Sequence, residues 1–262
     1  MTDKRGASSL IPPPSSLNES YDAFAYAYDK ALGERFFRAA SEMLTDALSR
    51  FPTAEKTHLD VCCGTGMALR YFRERGYRST GLDLSLPMLE LARKRASALV
   101  AADVRALPFR RTFARITCLY DSLNHMKEAD DLIAAFRAVA GVMNEESLFL
   151  FDMNHPDIYP VIWGMKEPYV SHGRDYHLEI ATKYRKRDHL ATGRVTGWAR
   201  VGGREVPIEE KHEQRAWSVE AIHTALGAAG LKAREVIDFD PFREGQRVKL
   251  FFIAEQQNAS GR

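Results

Sequence analysis

The chain has 262 residues, 45% of them hydrophobic and 27% charged, enough for one α/β domain with an insertion and a sizeable core. Its 37 basic and 35 acidic side chains leave a formal charge of +2, short of the basic excess of a dedicated nucleic-acid binder, and no apolar run reaches the roughly 18 residues of a membrane span. Cys62, Cys63 and Cys118 fit neither a disulfide framework nor a metal-ligand spacing; with no basic-then-apolar leader, a cytoplasmic protein without a metal is expected.

Residues 1–17, rich in Ser and Pro and without period, predict a mobile tail. From Asn18, YDAFAYAYDKALGERFFRAASEMLTDAL has helical spacing and predicts a short and a longer helix with a break around Gly33. Tyr21, Phe24, Tyr26 and Tyr28 fall on or beside the first, where a core stripe is the plain reading of most of them. HLDVCCGTG at 58–66 predicts a strand that turns through Gly64 and Gly66 into a helix from Met67 to Arg75, stopped at Gly76. Glycine supplies the positive φ or close approach such a turn needs, and amides at the helix N-terminus are then free to meet a polar ligand. Asp60, at the mouth of the turn, would repel a pyrophosphate and accept from an ammonium, which points towards a cationic amino acid. STGLDL predicts a second strand ending in Asp83, 23 residues after Asp60, where a carboxylate meets ribose hydroxyls in a βαβ unit. Ser85 is the expected N-cap of a helix with Pro87 in its first turn, running to about Ala96.

ALVAADVRALPF predicts a third strand ending at Asp103, and ARITCLY a buried fourth, followed by DSLNHM and a helix, EADDLIAAFRAVAGVM. Residues beyond a strand's C-terminal edge face the ligand crevice of an open α/β sheet, so Asp121, Ser122, Asn124 and His125 are delivered there. His125 is either a general base titrating near neutrality or a capping or structural group. SLFLFDMNH is a fifth strand bringing Asp152, Asn154 and His155 to the same edge. From Pro156 to Ala216 the pattern alternates and predicts a three-stranded antiparallel insertion covering the strand ends. Its KYRKR cluster at 183–187 reads as a solvated face. SVEAIHTALGAAG is a helix between Ser218 and Gly230, LKAREVIDFD and QRVKLFFIAEQ are the last strands, and NASGR is a disordered tail. His212, Arg215 and Trp217 return to the crevice mouth, where Arg215 either holds an anionic group or pairs with Glu210 or Glu213.

LDVCCGTG, GLDLSLPMLELAR, ADVRALPF and ITCLYDSLNHM, in that order over about residues 58–155, resemble the successive motifs of class I S-adenosylmethionine-dependent methyltransferases of the small-molecule type. Cys62 departs from them, standing where that family often has Gly or Ala. The resemblance implies an α/β fold: a doubly wound, Rossmann-like seven-stranded sheet, mostly parallel with one antiparallel edge strand, plus an antiparallel β insertion. Residues 18–155 and 216–256 would form the cofactor domain and 156–215 the cover.

By the same resemblance the cofactor is S-adenosyl-L-methionine, leaving as S-adenosyl-L-homocysteine. It would be held by Tyr28, Asp60, Cys62, Gly64, Thr65, Gly66, Asp83, Leu84, Met88, Asp103, Val104 and Tyr120. Leu84 and Met88 would flank the adenine, and Asp103 and the Val104 amide would face its edge. The YDxxAxxYD stretch looks like an N-terminal lid whose Tyr21 and Tyr28 hydroxyls reach cofactor or substrate. Residues 121–125 are similar to a loop of amino-sugar N-methyltransferases in which a His two residues past a Ser-hydrophobe pair lies beside the acceptor amine. His125 and Tyr21 are therefore the expected catalytic residues, with Asp121, Asn124, Asn154, His212 and Arg215 around the substrate. The implied activity is in-line methyl transfer, without metal, to an amine or hydroxyl of a small molecule. Methylation of RNA or protein, and cofactor binding without catalysis, are the competing readings; no nucleic-acid or membrane partner is expected, and a homodimer is left open.

Overall fold

The computed structural model describes residues 19–96, 98–241 and 248–257, and not the side chains of 19–22 and 35; the tails expected at 1–17 and 258–262 lie outside the described residues. Helix α1 (Glu19–Tyr28) continues through a π-helical turn, Asp29–Gly33, into α2 (Glu34–Arg50). The break expected around Gly33 is thus a change of helical pitch. Gly33 has an ordinary helical φ of −54° and is small for another reason: a Cβ there would stand 3.2 Å from Met67 Cε.

Strands β1 (Thr57–Val61), β2 (Arg78–Asp83) and β3 (Leu99–Ala101) alternate with α3 (Met67–Glu74) and α4 (Leu86–Ala92). The Ser85 hydroxyl caps α4 by accepting from the Met88 amide at 3.4 Å. This helix ends at Ala92 rather than near Ala96, because the chain turns there and sends Arg95 back to the Thr65 carbonyl at 2.9 Å. Then follow β4 (Arg115–Cys118), a 3-10 turn at Ser122–His125, α5 (Ala129–Ala140), β5 (Leu148–Asn154), α6 (Ile158–Ile162), β6 (Tyr169–His172), β7 (Tyr176–Arg185), β8 (Leu190–Val201), β9 (Arg204–Arg215), α7 (Val219–Ala228), β10 (Leu231–Phe239) and β11 (Lys249–Gln256).

Seven strands form one sheet in the order β10-β11-β5-β4-β1-β2-β3. The five from β3 to β5 are parallel; β11 runs antiparallel to both neighbours and lies one strand in, with β10 at the edge. Strand alternation sends Phe149, Phe151 and Phe252 to the layer of α5 and α7, and Leu150, Phe251 and Ile253 to that of α2 and α3. Phe151 and Phe252 stack 4.6 Å apart. The chain winds outward in both directions from β1 and β4, so the ends of these neighbours form the switch point at which such sheets bind ligands.

The second sheet has four strands, β6-β7-β8-β9, where three were expected. The extra one, β6, is only four residues long and mostly exposed, so it shows no alternation in sequence and is defined by its ladder on β7. Helix α1 packs Ala23 and Ala27 against Leu178, Val195, Ala199 and Ile208 of this sheet, while Asp29 pairs with Arg95 at 3.0 Å. The N-terminal helix thus bridges the two sheets. No described helix is long and apolar enough to cross a membrane.

Candidate active site

The turn after β1 is built by backbone conformation. Cys62, Gly64 and Gly66 have φ of 56°, 51° and 84°. Gly66 needs to be glycine twice over, since a Cβ would also meet Ala92 at 3.2 Å. No protein atom lies within 4 Å of a Cβ position on Gly64, so the backbone there can be approached closely. Cys62 adopts a left-handed conformation unusual for a side-chain-bearing residue, at the place where the motif departs from glycine. One expectation is corrected: the glycine amides are not free. Gly64 N–H donates to Asp83 Oδ2 at 2.7 Å and Gly66 N–H to the Cys63 carbonyl at 2.9 Å. Asp83 Oδ1 accepts from Ser85 N–H at 2.8 Å, so Asp83 ties the β1 and β2 turns together. Asp60 is 3% exposed and accepts from Thr117 Oγ1 at 2.5 Å; burial pushes its pKa up to about 7, with the Asp83 charge adding to the rise and Thr117 opposing it. Thr65 is buried beside it.

The β4 turn holds the second half of the site. Tyr120 and Asp121 both have positive φ, 64° and 52°, a strained pair that persists because Asp152 anchors it. Asp152 Oδ1 accepts from Tyr120 N–H at 2.6 Å and Oδ2 from Asp121 N–H at 3.2 Å. Lys249, on β11, inserts its ammonium between Asp152 Oδ2 (2.7 Å) and Asp121 Oδ1 (2.5 Å). Burial works against the charge on Lys249, but the two carboxylates outweigh it and raise its pKa. For Asp152, burial outweighs the lysine and its pKa also rises; with two acids sharing one base, Lys249 stays charged. Tyr28, from α1, lies within the field of Asp121, Asp152, Asp83 and Asp29, and burial with these charges holds its phenol protonated. The Tyr120 hydroxyl is buried without a hydrogen-bond partner.

Gln214, on β9, links the two sheets. Its Nε2 donates to Asp121 Oδ2 at 2.6 Å and lies 3.4 Å from His125 Nε2, while its Oε1 accepts from Asn154 Nδ2 and Tyr159 Oη, each at 3.0 Å. His125 presents surface to solvent, yet the protein packed around the rest of its ring lowers its pKa, against the Asp121 charge and a hydrogen bond with the Glu213 backbone. Its ring centroid is 6.0 Å from that of His212, whose Nε2 is buried without a hydrogen-bond partner and whose pKa is likewise lowered by burial. Phe24 of α1 stands 5.2 Å from His212.

A second expectation needs correction, and an alternative left open at Arg215 is decided. Asn124 is fully buried with both amide ends occupied, Nδ2 on the Arg215 carbonyl (2.9 Å) and Oδ1 on the Asn154 amide (3.0 Å), so it braces β5 against β9 instead of facing the crevice. Arg215 pairs with neither Glu210 nor Glu213; its guanidinium lies over the Trp217 ring at 5.2 Å, with Nε buried and unpartnered. Asn154 is buried behind Gln214.

On the β2 and β3 side, Leu84 is 72% exposed next to Asp83, Met88 is half-buried one helical turn on, and Val104 is buried. Asp103 is gripped by Arg105, whose Nη2 donates at 2.6 Å, and this pairing lowers its pKa. Tyr21 lies on α1, but its side chain is outside the described residues.

The sequence reading missed Lys249 and Gln214. Gln214 was within reach, since strand alternation puts it on the face of His212; Lys249 begins an apolar run and gave no signal. Among the described residues, no three His, Cys, Asp or Glu side chains converge on a metal position. Four carboxylates act on Tyr28, and the Tyr120 hydroxyl and the His212 Nε2 are buried atoms without a hydrogen-bond partner. This donor set fits a cationic ligand that also carries hydrogen-bonding groups, as a sulfonium amino acid does.

Known proteins agree. Residues 59–146 match a family model described as a methyltransferase domain. The protein named "Putative methyltransferase GWCH70_2453" of Geobacillus sp. (strain WCH70) is 32% identical over 250 residues, covering 90% of this chain and 100% of the relative. The dTDP-3-amino-3,6-dideoxy-alpha-D-glucopyranose N,N-dimethyltransferase of Streptomyces fradiae is 34% identical over 110 residues, 41% of this chain and 43% of the relative. The fold is shared with an S-adenosylmethionine-dependent methyltransferase from Clostridium acetobutylicum ATCC 824, with a TM-score of 0.73 at 22% identity, covering 89% of this chain and 97% of that one. A relative matched along its whole length, and a methyltransferase domain lying across the switch point, place this chain among the S-adenosylmethionine-dependent methyltransferases.

Proposed function

We propose that the protein transfers a methyl group from S-adenosyl-L-methionine to an amine or hydroxyl of a small molecule, releasing S-adenosyl-L-homocysteine. The observation that carries this reading is the acidic surround of the switch point: buried Asp60 and Asp152 with partly buried Asp83 and Asp121, facing the ammonium of Lys249. The cofactor supplies a methyl group already activated on a sulfonium. The protein's part is to bind, align and exclude water.

In this reading Asp60 receives the cofactor's ammonium, and Tyr28 and Tyr120 donate to its carboxylate or line its methionine arm beside Cys62 and Thr65. Asp83 uses its remaining lone pairs on the ribose, Leu84 and Met88 flank the adenine, and Asp103 with the Val104 amide meets its edge. The acceptor enters on the Asp121 side under the second sheet. His125, kept neutral by burial, accepts the acceptor's proton or orients its lone pair, with His212 beside it. An amine acceptor suits the carboxylate excess, and the partial likeness to an amino-sugar N,N-dimethyltransferase supports that choice. Direct displacement aligns acceptor, methyl and sulfur and asks nothing of a metal. Three free thiols suit a reducing, cytoplasmic setting, and the near balance of 37 basic and 35 acidic side chains suits a protein acting without nucleic acid.

Labelled cofactor offered with pools of amines, alcohols, RNA and protein tests the reading. Transfer to a small amine or alcohol is expected; label in RNA or protein only would overturn it. If His125→Ala and Tyr21→Phe both left turnover unchanged while cofactor still bound, the catalytic assignment would fail.

A further inference from the structure

His58 lies two residues before Asp60 on β1, is fully buried, and has no part in the chemistry above. A histidine in the centre of a parallel sheet is costly unless both ring nitrogens are satisfied, and here they are. Nδ1 lies 3.1 Å from Ser79 Oγ on β2, Nε2 lies 2.9 Å from Thr117 Oγ1 on β4, and the ring stacks on Phe72 at 3.7 Å. Thr117 Oγ1 in turn donates to Asp60 Oδ1 at 2.5 Å. Ser79, His58, Thr117 and Asp60 therefore form one hydrogen-bonded row across three strands, from the half-buried β2 residue to the carboxylate under the glycine turn.

Counting protons fixes the direction of this row. The Thr117 hydroxyl has one hydrogen. When Asp60 is a carboxylate, that hydrogen goes to Asp60, so Thr117 must accept from His58 Nε2–H, and His58 Nδ1 must accept from Ser79. When Asp60 holds a proton on Oδ1 and donates it to Thr117, the row runs the other way: Thr117 donates to His58 Nε2, and His58 Nδ1–H to Ser79.

We propose that His58 is a positioning residue for cofactor capture, a neutral imidazole whose tautomer is locked through Thr117 to the charge on Asp60. With its Nε2–H on Thr117, it polarises that hydroxyl towards Asp60 and favours the carboxylate that receives the ammonium. Burial lowers the His58 pKa and keeps the ring neutral, as a two-tautomer relay requires. The ionisable groups facing Asp60 are Asp83 from β2, Cys63 from the turn, and Cys118 and Tyr120 from β4 and its turn. Of these Asp83 is the one carboxyl, and its charge works against that of Asp60. Facing His58 are Ser79, Thr117 and the apolar Phe72, none ionisable in that range.

This inference rests on Asp60 as the ammonium partner, so the test separates the two. Cofactor affinity is measured by calorimetry against pH for wild type and for Asp60→Asn, His58→Leu and His58→Gln. Asp60→Asn should remove the rise of affinity with pH; if it leaves binding intact, the Asp60 reading itself fails. His58→Leu should move the midpoint of that rise to higher pH and weaken binding near neutrality about three- to tenfold, the size of one lost hydrogen bond. His58→Gln, with an amide N–H for Thr117, should restore most of it. An unchanged midpoint in His58→Leu, with Asp60→Asn impaired, would overturn the relay alone. Nitrogen NMR of the wild-type imidazole gives a readout independent of folding: Nε2–H is expected in the cofactor complex and Nδ1–H in free protein at low pH. One tautomer throughout would also overturn it.

Discussion

Lys249 is the side chain on which Asp121 and Asp152 depend for charge balance, and Lys249→Met removes the charge while keeping most of the bulk. The ammonium it removes sits 2.5 Å from Asp121 and 2.7 Å from Asp152, and its own side chain is 7% exposed and that of Asp152 2%. Breaking a buried pair by deleting one partner costs about 3–5 kcal/mol, because the other charge is left in a poor solvent. Typical domains are stable by about 5–15 kcal/mol, so the variant should fold with a much reduced margin. The deficit should depend on pH in a direction that can be worked out. Without the lysine, the Asp152 pKa in the fold rises further above its unfolded value, and a carboxyl raised in this way destabilises the fold once pH exceeds the unfolded pKa of about 4. The deficit should therefore be larger at neutrality than at pH 5 and shrink as pH falls towards 4. Urea unfolding near pH 7.5 and near pH 5, extrapolated to water, measures both. Adding Asp121→Asn should recover about 1–3 kcal/mol in a double-mutant cycle. A loss below about 1 kcal/mol, or a deficit that does not change with pH, would refute the charge argument.

Other outcomes follow from the same geometry. Gln214→Ala cuts the connection of Asp121 and His125 to Asn154 and Tyr159; turnover should fall at least about tenfold with cofactor affinity little changed, as expected for a group acting on the acceptor side. Equal losses in both would place Gln214 in the scaffold only. At Gly81 an added Cβ would stand 2.6 Å from Leu69 Cδ1 and 2.9 Å from both Cys63 Sγ and Leu99 Cδ2, so Gly81→Ala should cost about 1–3 kcal/mol in thermal or urea unfolding. A neutral result there would mean that the β2 contact with the cofactor turn is looser than described.

The sequence made the parallel half of the fold legible because its strands are apolar runs ending in acids or glycines, and each ending fell at the crevice. Asp60, Asp83 and Asp121 could be placed from spacing and order alone. Gly33 misled because a glycine in a helical pattern reads as a break, whereas its smallness serves the contact with Met67. Asn124 misled because position after a strand end says nothing about which way an amide turns, and only the assembled sheets show Arg215 left without Glu210 or Glu213 as a partner. Gln214 and Lys249 reach the site from strands 90 and more residues downstream of Asp121, and His58 takes its partners from two neighbouring strands, so their roles exist only once the sheets are assembled. Free amides were expected at the glycine turn; Asp83 and Cys63 use two of them, a pairing that no local pattern announces.

The switch point between β1 and β4 is proposed to bind a cationic sulfonium amino acid. Titration of the folded protein with S-adenosyl-L-methionine in a calorimeter tests it most directly. Saturable uptake of about one molecule per chain, strongly weakened by Asp60→Asn, is the predicted result; no uptake by folded wild-type protein would contradict the account.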